Sequence, residues 1–355
     1  MSEYGLVCSR LRKTAGKITM DLDFSVAKGE LVSVIGPEGS GKTMLLRLIC
    51  GLDSPDSGTV SIDGRDVTAL PPEKRNTAMI VTDYAVFPNM SIEQNILYPL
   101  RNRRLSKQEK TAEARRLMDL VNLTGADKKI PSELSAEERF RVAFARAIAA
   151  QPDIILMDDT LSALDNRVRK NLRNEIRGIQ MKTGVTVIFA SDSQEEALCF
   201  SDRVIVLRSG KIEQTGTPED IYRRPASEFS ACFTGEVNIL PYDVILRTLR
   251  VPETERSKVI YQCFGPEHRL IFRPEDMVVN DMPGLPFPEF YPHLRFDNAK
   301  IVRTEYLGKE YLVTAQYDDL IIKVYTVYKP ASDYITAGIR MTKILEYNDG
   351  KLIRH

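Results

Sequence analysis

Residues 36–43 have the types and the spacing of a loop that binds phosphate groups. They follow the pattern GxxxxGK[ST] and are Gly36, Pro37, Glu38, Gly39, Ser40, Gly41, Lys42 and Thr43. Glycines let backbone N–H groups wrap around phosphate oxygens, and the N-terminus of a following helix adds positive potential. In such a loop Lys42 neutralises the terminal phosphates and Thr43 ligates Mg²⁺. We call residues 36–43 the phosphate cradle and assign all eight to nucleotide binding.

An acidic residue completes the expected metal site. Asp158 directly follows the apolar run at 154–157. Its carboxylate would therefore point toward the Mg²⁺ held by Thr43, directly or through water. The sequence predicts binding of a magnesium–nucleotide complex, and at this point kinase, GTPase and ATPase chemistry all remain open.

Short apolar runs must position these side chains. Residues 30–35, 154–157 and 186–190 are rich in β-branched and apolar types and predict buried strands, and a helix is expected over 44–50. Strands that alternate with helical patterns indicate an α/β domain. From about residue 235 short β-rich runs separated by Pro and Gly predict a second, all-β domain. Residues 282–293 hold four prolines and predict an irregular loop.

Composition excludes several classes of protein. The 355 residues suggest about two domains. The chain has 49 basic residues (Lys and Arg) and 49 acidic residues (Asp and Glu), so its formal net charge is zero. This balance argues against a nucleic-acid partner bound through overall charge. No apolar run approaches the roughly 18 residues of a membrane helix, and no signal-peptide pattern opens the chain. The Arg- and Lys-rich stretch at 101–116 indicates a solvated helix face or, alternatively, a contact with anionic lipid.

Cysteine and histidine are too few and too scattered to form a metal site. The five cysteines have no CxxC spacing, so we expect no disulfide framework and interpret them as reduced core residues. All histidines lie after residue 267, which excludes a histidine mechanism in the earlier part of the chain. These residues are Cys8, Cys50, Cys199, Cys232, Cys263, His268, His293 and His355.

Further stretches follow the cradle in an order that identifies a family. They are YAVFPNMS at 84–91, ELS at 133–135, RVAFARA at 141–147, DDTLSALD at 158–165, QEEA at 194–197 and GTPEDIY at 216–222. Together they resemble the ATP-binding subunit of an ABC-type importer, over nearly the entire chain. FRPED at 272–276 and EYLG at 305–308 resemble the regulatory TOBE (OB-like) β domain of importers for sugars, polyamines or ferric iron.

The resemblance implies a fold and a setting. We expect an α/β P-loop NTPase domain of ABC type at 1–235, with a helical subdomain at about 85–150, and a small all-β OB-like domain at 236–355. The implied cofactors are ATP and Mg²⁺. The implied partners are a second ATP-binding subunit in a homodimer or heterodimer, integral-membrane permease subunits and, indirectly, a solute-binding protein, without nucleic acid. The implied place is the cytoplasmic face of the inner or plasma membrane, as a peripheral subunit.

In that family each nucleotide lies between one subunit's cradle and the partner's LSGGQ signature, and this chain departs from the signature. The corresponding residues are Leu134, Ser135, Ala136, Glu137 and Glu138. Close approach to phosphate needs small residues and positive potential, whereas this stretch supplies two carboxylates. It also fits a Ser-x-x-Glu capping box, followed by an apolar stripe of Phe140, Phe144 and Ile148. The alternative is that both glutamates turn to solvent and ATP still docks.

Other positions depart from the family where catalysis is expected. Asp159 stands at the glutamate that acts as general base, and its shorter side chain retracts the carboxylate. Asp192 stands at the switch histidine, Thr82 at the glutamine that senses Mg²⁺, and Lys13 at the adenine-stacking aromatic. Ser162 and Asp165 fall in the family's D-loop.

These departures leave two hypotheses open. In the first, the chain is an importer subunit that hydrolyses ATP slowly. In the second, it binds nucleotide without hydrolysis and acts as a structural or regulatory partner of the permease.

Overall fold

The computed structural model describes residues 3–101, 103–241, 244, 268–280 and 293–354. The chain divides into two compact units, Met1–Glu219 and Asp220–His355. The boundary expected from the sequence, between residues 235 and 236, lies later in the chain than this division. Cys263, His355 and the expected loop at 282–293, apart from its last residue, lie outside the described residues.

The first unit contains the cradle and the acidic residues expected beside it. Its strands are β1 (Tyr4–Ala15), β2 (Ile18–Ala27), β3 (Leu31–Ile35), β4 (Ser57–Ile62), β5 (Arg65–Asp66), β6 (Thr77–Ile80), β7 (Ile154–Asp158), β8 (Thr186–Ser191), β9 (Arg203–Arg208) and β10 (Lys211–Gly216). Its helices are α1 (Lys42–Cys50), α2 (Ile92–Leu100), α3 (Lys107–Leu120), α4 (Ala136–Ala149), α5 (Asn166–Thr183) and α6 (Gln194–Phe200).

Two sheets organise this unit. The larger has the order β10-β9-β3-β8-β7-β6, in which every neighbouring pair is parallel except β9 with β10. The smaller is antiparallel with the order β2-β1-β4-β5. The strands predicted at 30–35, 154–157 and 186–190 are confirmed as β3, β7 and β8. Their continuous apolar runs are typical of parallel strands that are buried on both faces.

The carboxyl ends of β3, β7 and β8 bring the chemistry together. β8 pairs with both β3 and β7, so the three ends lie side by side at one edge of the sheet. The cradle follows β3, Asp158 is the last residue of β7, and Asp192 follows β8. Ligands of open parallel sheets bind at this edge.

Three helices lie within residues 85–150, where a helical subdomain is expected. Each begins with a capping box, formed by Ser91 with Gln94, Ser106 with Glu109 and Ser135 with Glu138. The apolar stripe predicted on α4 is confirmed, because Phe140, Phe144 and Ile148 are all buried in the core of the unit. Phe140 packs edge-on against Tyr84, which follows β6. The core therefore fixes α4 against the sheet.

The basic stretch at 101–116 makes contacts within the same subdomain. Arg116 forms two hydrogen bonds with Glu113, at 2.7 and 2.8 Å. Arg103 donates to the Ala150 carbonyl, and Arg101 stacks over Tyr98. Part of the positive charge of this stretch is thus neutralised by Glu113 or engaged in contacts within the subdomain.

A buried arginine fixes the far end of α1. Arg75 is 2% exposed and donates to the carbonyl oxygens of Leu48 and Ile49 at the end of that helix. It also donates to the Thr68 and Leu70 carbonyls. A cation is favourable at a helix C-terminus because it satisfies the last carbonyls and complements the helix dipole.

The second unit is mostly β structure. Its helices are α7 (Pro218–Arg223), which spans the division between the units, and α8 (Glu228–Phe233). Its strands are β11 (Asn238–Pro241), β12 (His268–Phe272), β13 (Met277–Asn280), β14 (His293–Tyr306), β15 (Tyr311–Tyr317), β16 (Leu320–Thr326), β17 (Tyr334–Arg340), β18 (Leu345–Asn348) and β19 (Lys351–Arg354). They form antiparallel sheets with the orders β11-β12-β18-β19 and β13-β17-β14-β15-β16. The all-β prediction is confirmed for the described residues.

The FRPED stretch supplies a buried anchor in this second unit. Arg273 donates to the carbonyls of Tyr222, Ala231 and Glu236 and to the Thr234 hydroxyl. Its guanidinium also lies 4.1 Å from the centre of the Tyr222 ring. The motif therefore joins α7 and α8 to the strand β12 that precedes it.

The described cysteines are free thiols, and two of them are not in the core. Cys8 and Cys50 are buried as expected, but Cys199 and Cys232 are exposed, so the core interpretation is wrong for them. Both lie on short helices, α6 and α8, at positions that face solvent. Among the described helices, none combines the length and the hydropathy that a membrane crossing requires.

Candidate functional site

The phosphate cradle connects β3 to α1. The helix predicted over 44–50 begins two positions earlier, at Lys42, so Lys42 and Thr43 lie in its first turn. The first N–H groups of a helix have no partner inside the helix and point toward its N-terminus. Gly41, the residue before the helix, has φ 107°, a conformation that glycine adopts without strain. The loop thus presents unpaired amides in the way a phosphate ligand requires.

The hairpin formed by β9 and β10 contacts the backbone of the cradle. A Cβ atom on Gly36 would lie 2.2 Å from the Leu207 carbonyl oxygen of β9, so only glycine fits. The Ser40 carbonyl accepts a hydrogen bond of 3.0 Å from the Gly210 amide, in the turn between β9 and β10. Ser40 also donates its own amide to the Pro37 carbonyl. The loop is therefore held by backbone contacts on two sides.

The Lys42 ammonium is surrounded by acceptors. It donates to the carbonyls of Gly36 and Pro37, at 2.7 and 2.9 Å. Its third strong partner is the Asp192 carboxylate, at 2.7 Å. The Lys42 side chain is 11% exposed, whereas the Asp192 side chain is 60% exposed. An ammonium has three N–H donors, and these three acceptors match them.

The expected metal ligands lie together. Thr43 Oγ1 donates to Asp158 Oδ1 at 3.0 Å, which links the first turn of α1 to the end of β7. Thr82 Oγ1 donates to the backbone carbonyl of Asp158 at 3.2 Å. A hydroxyl and a carboxylate are hard oxygen ligands of the kind that Mg²⁺ prefers. The donor set therefore fits a magnesium ion shared with phosphate oxygens.

Two neighbouring carboxylates carry unfavourable charge. Burial raises the pKa of Asp158, partly offset by the hydrogen bond from Thr43. Burial also raises the pKa of Asp159, and the nearby Asp192 charge adds to this rise. Lys42 lowers both pKa values without cancelling the effect of burial. The site thus carries negative charge that a bound cation would neutralise.

We expect Asp158→Asn to stabilise the nucleotide-free chain. The raised pKa disfavours the ionised carboxylate in the folded chain. The penalty appears as pH rises through the unfolded pKa and is complete above the folded pKa. Asparagine keeps an oxygen for Thr43 without the charge. We expect Tm to rise by about 2 °C and the further rise on adding Mg-ATP to be lost, both measured by thermal unfolding.

The matched control is Asp53→Asn, for which the opposite sign is expected. Two hydrogen bonds from Arg47 lower the pKa of Asp53, so its charge favours the folded chain and its removal should lower Tm. A fall in Tm for Asp158→Asn at pH 7 would contradict the assignment of buried charge to this position.

The capping box predicted at residues 135–138 is confirmed. The Ser135 hydroxyl accepts from the Glu138 amide at 3.1 Å, and Glu138 Oε2 accepts from the Ser135 amide at 2.8 Å. The bond from the Ser135 amide lowers the pKa of Glu138, so this side chain is held as a carboxylate. Glu137 pairs with Arg141, one turn further along α4, with 2.7 Å between Glu137 Oε1 and Arg141 Nη2. Arg141 also pairs with Glu175.

Among the described residues, no hydrogen bond or ion pair joins 135–138 to the cradle of the same chain. Glu137 pairs with Arg141 of the same helix, and Glu138 contacts Ser135 and Lys129, so the N-terminus of α4 carries its own compensating charge.

Comparisons with known proteins address the family. Residues 19–162 match the protein family described as "ABC transporter". The sulfate/thiosulfate import ATP-binding protein CysA 2 of Chromobacterium violaceum is 47% identical, over 68% of this chain and 66% of the relative. The Fe(3+) ions import ATP-binding protein FbpC of Agrobacterium fabrum is 37% identical, over 89% of this chain and 90% of the relative.

The comparisons extend to a third relative and to a solved structure. The spermidine/putrescine import ATP-binding protein PotA of Methylococcus capsulatus is 40% identical, over 74% of this chain and 70% of the relative. The chain belongs to the ABC transporter family of ATP-binding proteins. A solved dimeric structure of the ATP-binding cassette MJ0796, in a post-hydrolysis state with ADP and Pi, matches 60% of this chain and 98% of that chain. Its TM-score is 0.53 and its identity 26%.

Within this ABC protein, two groups contain many of the residues assigned from the sequence. One group lies at the carboxyl edge of the sheet, where Thr43 and Thr82 contact Asp158, and Lys42 contacts Asp192. The other group is the signature stretch at the start of α4.

Asp159 has an unusual backbone. Its φ is 46°, in the left-handed region, and its amide donates to the Ala190 carbonyl of β8. Aspartate is enriched over most other residues in this region because its short side chain can hydrogen-bond locally. The Ser162 hydroxyl donates to the Asp159 carbonyl, so this D-loop residue supports the turn that carries the expected base position.

Two further expected positions have structural partners. Asp165 caps α5 by accepting from the amides of Arg167 and Val168. Lys13 pairs with Asp56 at 3.0 Å, and Asp56 also accepts from the Thr14 amide. Lys13 lies on β1 of the smaller sheet, and its ammonium is engaged in this ion pair.

Sequence reasoning missed the contact between Lys42 and Asp192. Both residues were singled out, but for separate roles at positions far apart in the chain. The contact depends on Ile35 of β3 and Ser191 of β8 being neighbours in the sheet, which brings the residues that follow them together and which the structure alone reveals.

Proposed function

We propose that the chain is the ATP-binding subunit of an ABC importer that binds Mg-ATP at the phosphate cradle and hydrolyses it slowly. The observation that carries the proposal is the joint placement of Lys42, Thr43 and Asp158 at the carboxyl edge of the parallel sheet. Each of these residues has the side chain that phosphate or magnesium binding requires. The family assignment supports ATP as the nucleotide.

Different residues would bind the phosphates and the magnesium ion. The cradle amides and Lys42 would hold the phosphates, and Thr43 with Asp158 would hold Mg²⁺. Bound Mg²⁺ neutralises charge on the phosphate oxygens. Thr82 positions Asp158 through its backbone carbonyl. Asp159, at the family's base position, would accept a proton from an attacking water, and its raised pKa suits a proton acceptor.

Slow turnover follows from three features of the chain. Asp159 is one methylene shorter than the family's glutamate, and displacement near 1 Å can cost on the order of 10²-fold in rate. Asp192 offers no stable N–H donor where the family has histidine. The signature stretch carries two carboxylates near the helix N-terminus, where a partner's phosphate would be repelled.

A non-hydrolysing subunit is the second candidate. One observation favours it: the Asp192 carboxylate already forms an ion pair with the Lys42 ammonium. In this case the chain would bind nucleotide and act as a structural or regulatory partner.

The proposed setting follows the relatives. The subunit would pair with itself or with another ATP-binding subunit, beneath integral-membrane permeases served by a solute-binding protein. It would lie as a peripheral subunit on the cytoplasmic face of the membrane. The named relatives import sulfate or thiosulfate, ferric ions and polyamines. Solute choice belongs to the permease and the binding protein.

The test is binding of Mg-ATP and steady-state release of phosphate by the purified chain, alone and with candidate permeases. We expect saturable Mg-ATP binding below millimolar concentration and slow phosphate release above the background of Lys42→Ala. Release equal to that background would favour the non-hydrolysing candidate. Absence of Mg-ATP binding at millimolar concentration would overturn both.

A further inference from the structure

Asp192 is held facing the cradle by backbone geometry. Ile35 and Ser191 are paired neighbours at the ends of β3 and β8, so Gly36 and Asp192 are the first residues beyond the sheet on adjacent strands. On its other side Asp192 is followed by Ser193, which caps α6 by accepting from the Glu196 amide. The Ser193 amide in turn donates to the Ser191 hydroxyl. A residue fixed between a strand end and a capped helix cannot move far from Lys42.

The contacts of Lys42 show what a phosphate must displace. Two of its acceptors, the carbonyls of Gly36 and Pro37, belong to the cradle backbone and are fixed by the fold. The third is a side chain that is 60% exposed and can rotate into solvent. The lysine of such a loop reaches the β- and γ-phosphates. A phosphate oxygen that binds Lys42 therefore takes the place of the Asp192 carboxylate.

The local charge makes this displacement unfavourable. The charge of Asp192 raises the pKa values of Asp158 and Asp159, and Lys42 and Arg169 are the cations that lower the pKa of Asp159. Because the backbone holds Asp192 near Lys42, its carboxylate stays within a few ångströms after displacement and repels the incoming phosphate. ATP carries one more phosphate charge than ADP, and that phosphate is one of the two that Lys42 reaches.

We propose that Asp192 occupies the place of the terminal phosphate on Lys42 and thereby lowers the preference of the site for nucleoside triphosphate over diphosphate. This inference rests on the proposed function, because it concerns nucleotide bound at the cradle. It assigns Asp192 a role in nucleotide selection that is separate from any role in hydrolysis. Lys42 reaches the terminal phosphate of a diphosphate as well, but a triphosphate brings one more phosphate charge beside Asp192, so the repulsion is larger for the triphosphate.

The experiment measures dissociation constants for Mg-ATP and Mg-ADP by calorimetry on the full chain. The readout is the ratio of the ADP constant to the ATP constant, which a loss of structure alone would not change. Asp192→Asn should raise this ratio about tenfold, mostly by tighter ATP binding, after allowance for solvent screening at an exposed group. Asp192→Ala should do the same, and Asp192→Glu, which keeps the charge, should stay near the native ratio.

The chain offers a matched control. Lys28 and Asp63 form an ion pair of the same length, 2.7 Å, outside the cradle. Asp63→Asn should leave the ratio unchanged. Nucleotide binding with a native ratio in both neutral Asp192 variants would overturn the inference and leave the proposed function standing. Equal weakening of both nucleotides would overturn it as well, and no Mg-ATP binding by any of the proteins would overturn the proposed function itself.

Discussion

Replacing Lys42 with alanine is expected to weaken Mg-ATP binding at least about a hundredfold, since removing one partner of a largely buried charge interaction costs several kcal/mol. Two effects add in the same direction. The phosphates lose their cation, and Asp192 loses the ammonium that neutralises it and becomes a free negative charge at the cradle. The measurement is calorimetric titration with Mg-ATP, with thermal unfolding as a check that the fold is intact.

The control for this change is Lys28→Ala. Lys28 pairs with Asp63 at the same distance as Lys42 with Asp192, but its side chain is 55% exposed and lies outside the cradle. We expect no change in nucleotide affinity for this variant. Mg-ATP binding by Lys42→Ala within about threefold of the native value would remove the cradle from the proposed mechanism, because that lysine carries most of its electrostatic contribution.

Restoring the family's base and signature residues together is expected to raise phosphate release on the order of 10²-fold, whereas restoring the base alone is not. The combined variant carries Asp159→Glu with Ala136→Gly, Glu137→Gly and Glu138→Gln. It lengthens the base side chain and removes both carboxylates from the start of α4. Asp159→Glu alone should change the rate less than about threefold, because residues that act together are not additive.

The single change leaves both signature carboxylates in place, and it also strains the backbone at residue 159. The φ of 46° at Asp159 is better tolerated by aspartate than by glutamate, so the longer side chain adds backbone strain. Glu138→Gln keeps the capping box, since glutamine serves in this motif as well as glutamate. Glu137→Gly removes the pair with Arg141 but leaves Arg141 its bond to Glu175. The combined variant should therefore fold.

Two controls accompany the combined variant. Glu109→Gln alters the same motif on α3, where Ser106 and Glu109 form an equivalent box, and should leave phosphate release unchanged. Lys42→Ala in the combined background should abolish the gain. A gain of 10²-fold or more from Asp159→Glu alone would contradict the role given to the signature carboxylates.

Local patterns predicted the parts of the site that are continuous in sequence. The cradle lies between β3 and α1, as the GxxxxGK[ST] spacing requires, and Asp158 ends β7 beside Thr43. The capping box at Ser135 was also predicted, because its bonds join residues three apart. Assignments of this kind succeed where four to eight neighbouring residues determine the geometry.

Apart from the placement of Asp158 beside Thr43, contacts between distant segments were not predicted. The bond of Lys42 to Asp192 depends on which strands are neighbours in the sheet, and the strand order cannot be obtained from one strand's composition. Arg75 is charged and would be placed at the surface by type, yet four backbone carbonyls hold it in the core. The alternating pattern of β2 at residues 18–27 was a usable signal for the smaller sheet that went unused.

The hairpin of β9 and β10 has a consequence for the thermodynamics of nucleotide recognition. Because the Leu207 carbonyl closes the space beside Gly36 and the Gly210 amide holds Ser40, the cradle has its shape before any nucleotide arrives. The entropy of ordering this loop is lost once, when the first unit folds, and not at each binding event. The loop is thus preorganised, and more of the interaction energy with phosphate is available as affinity.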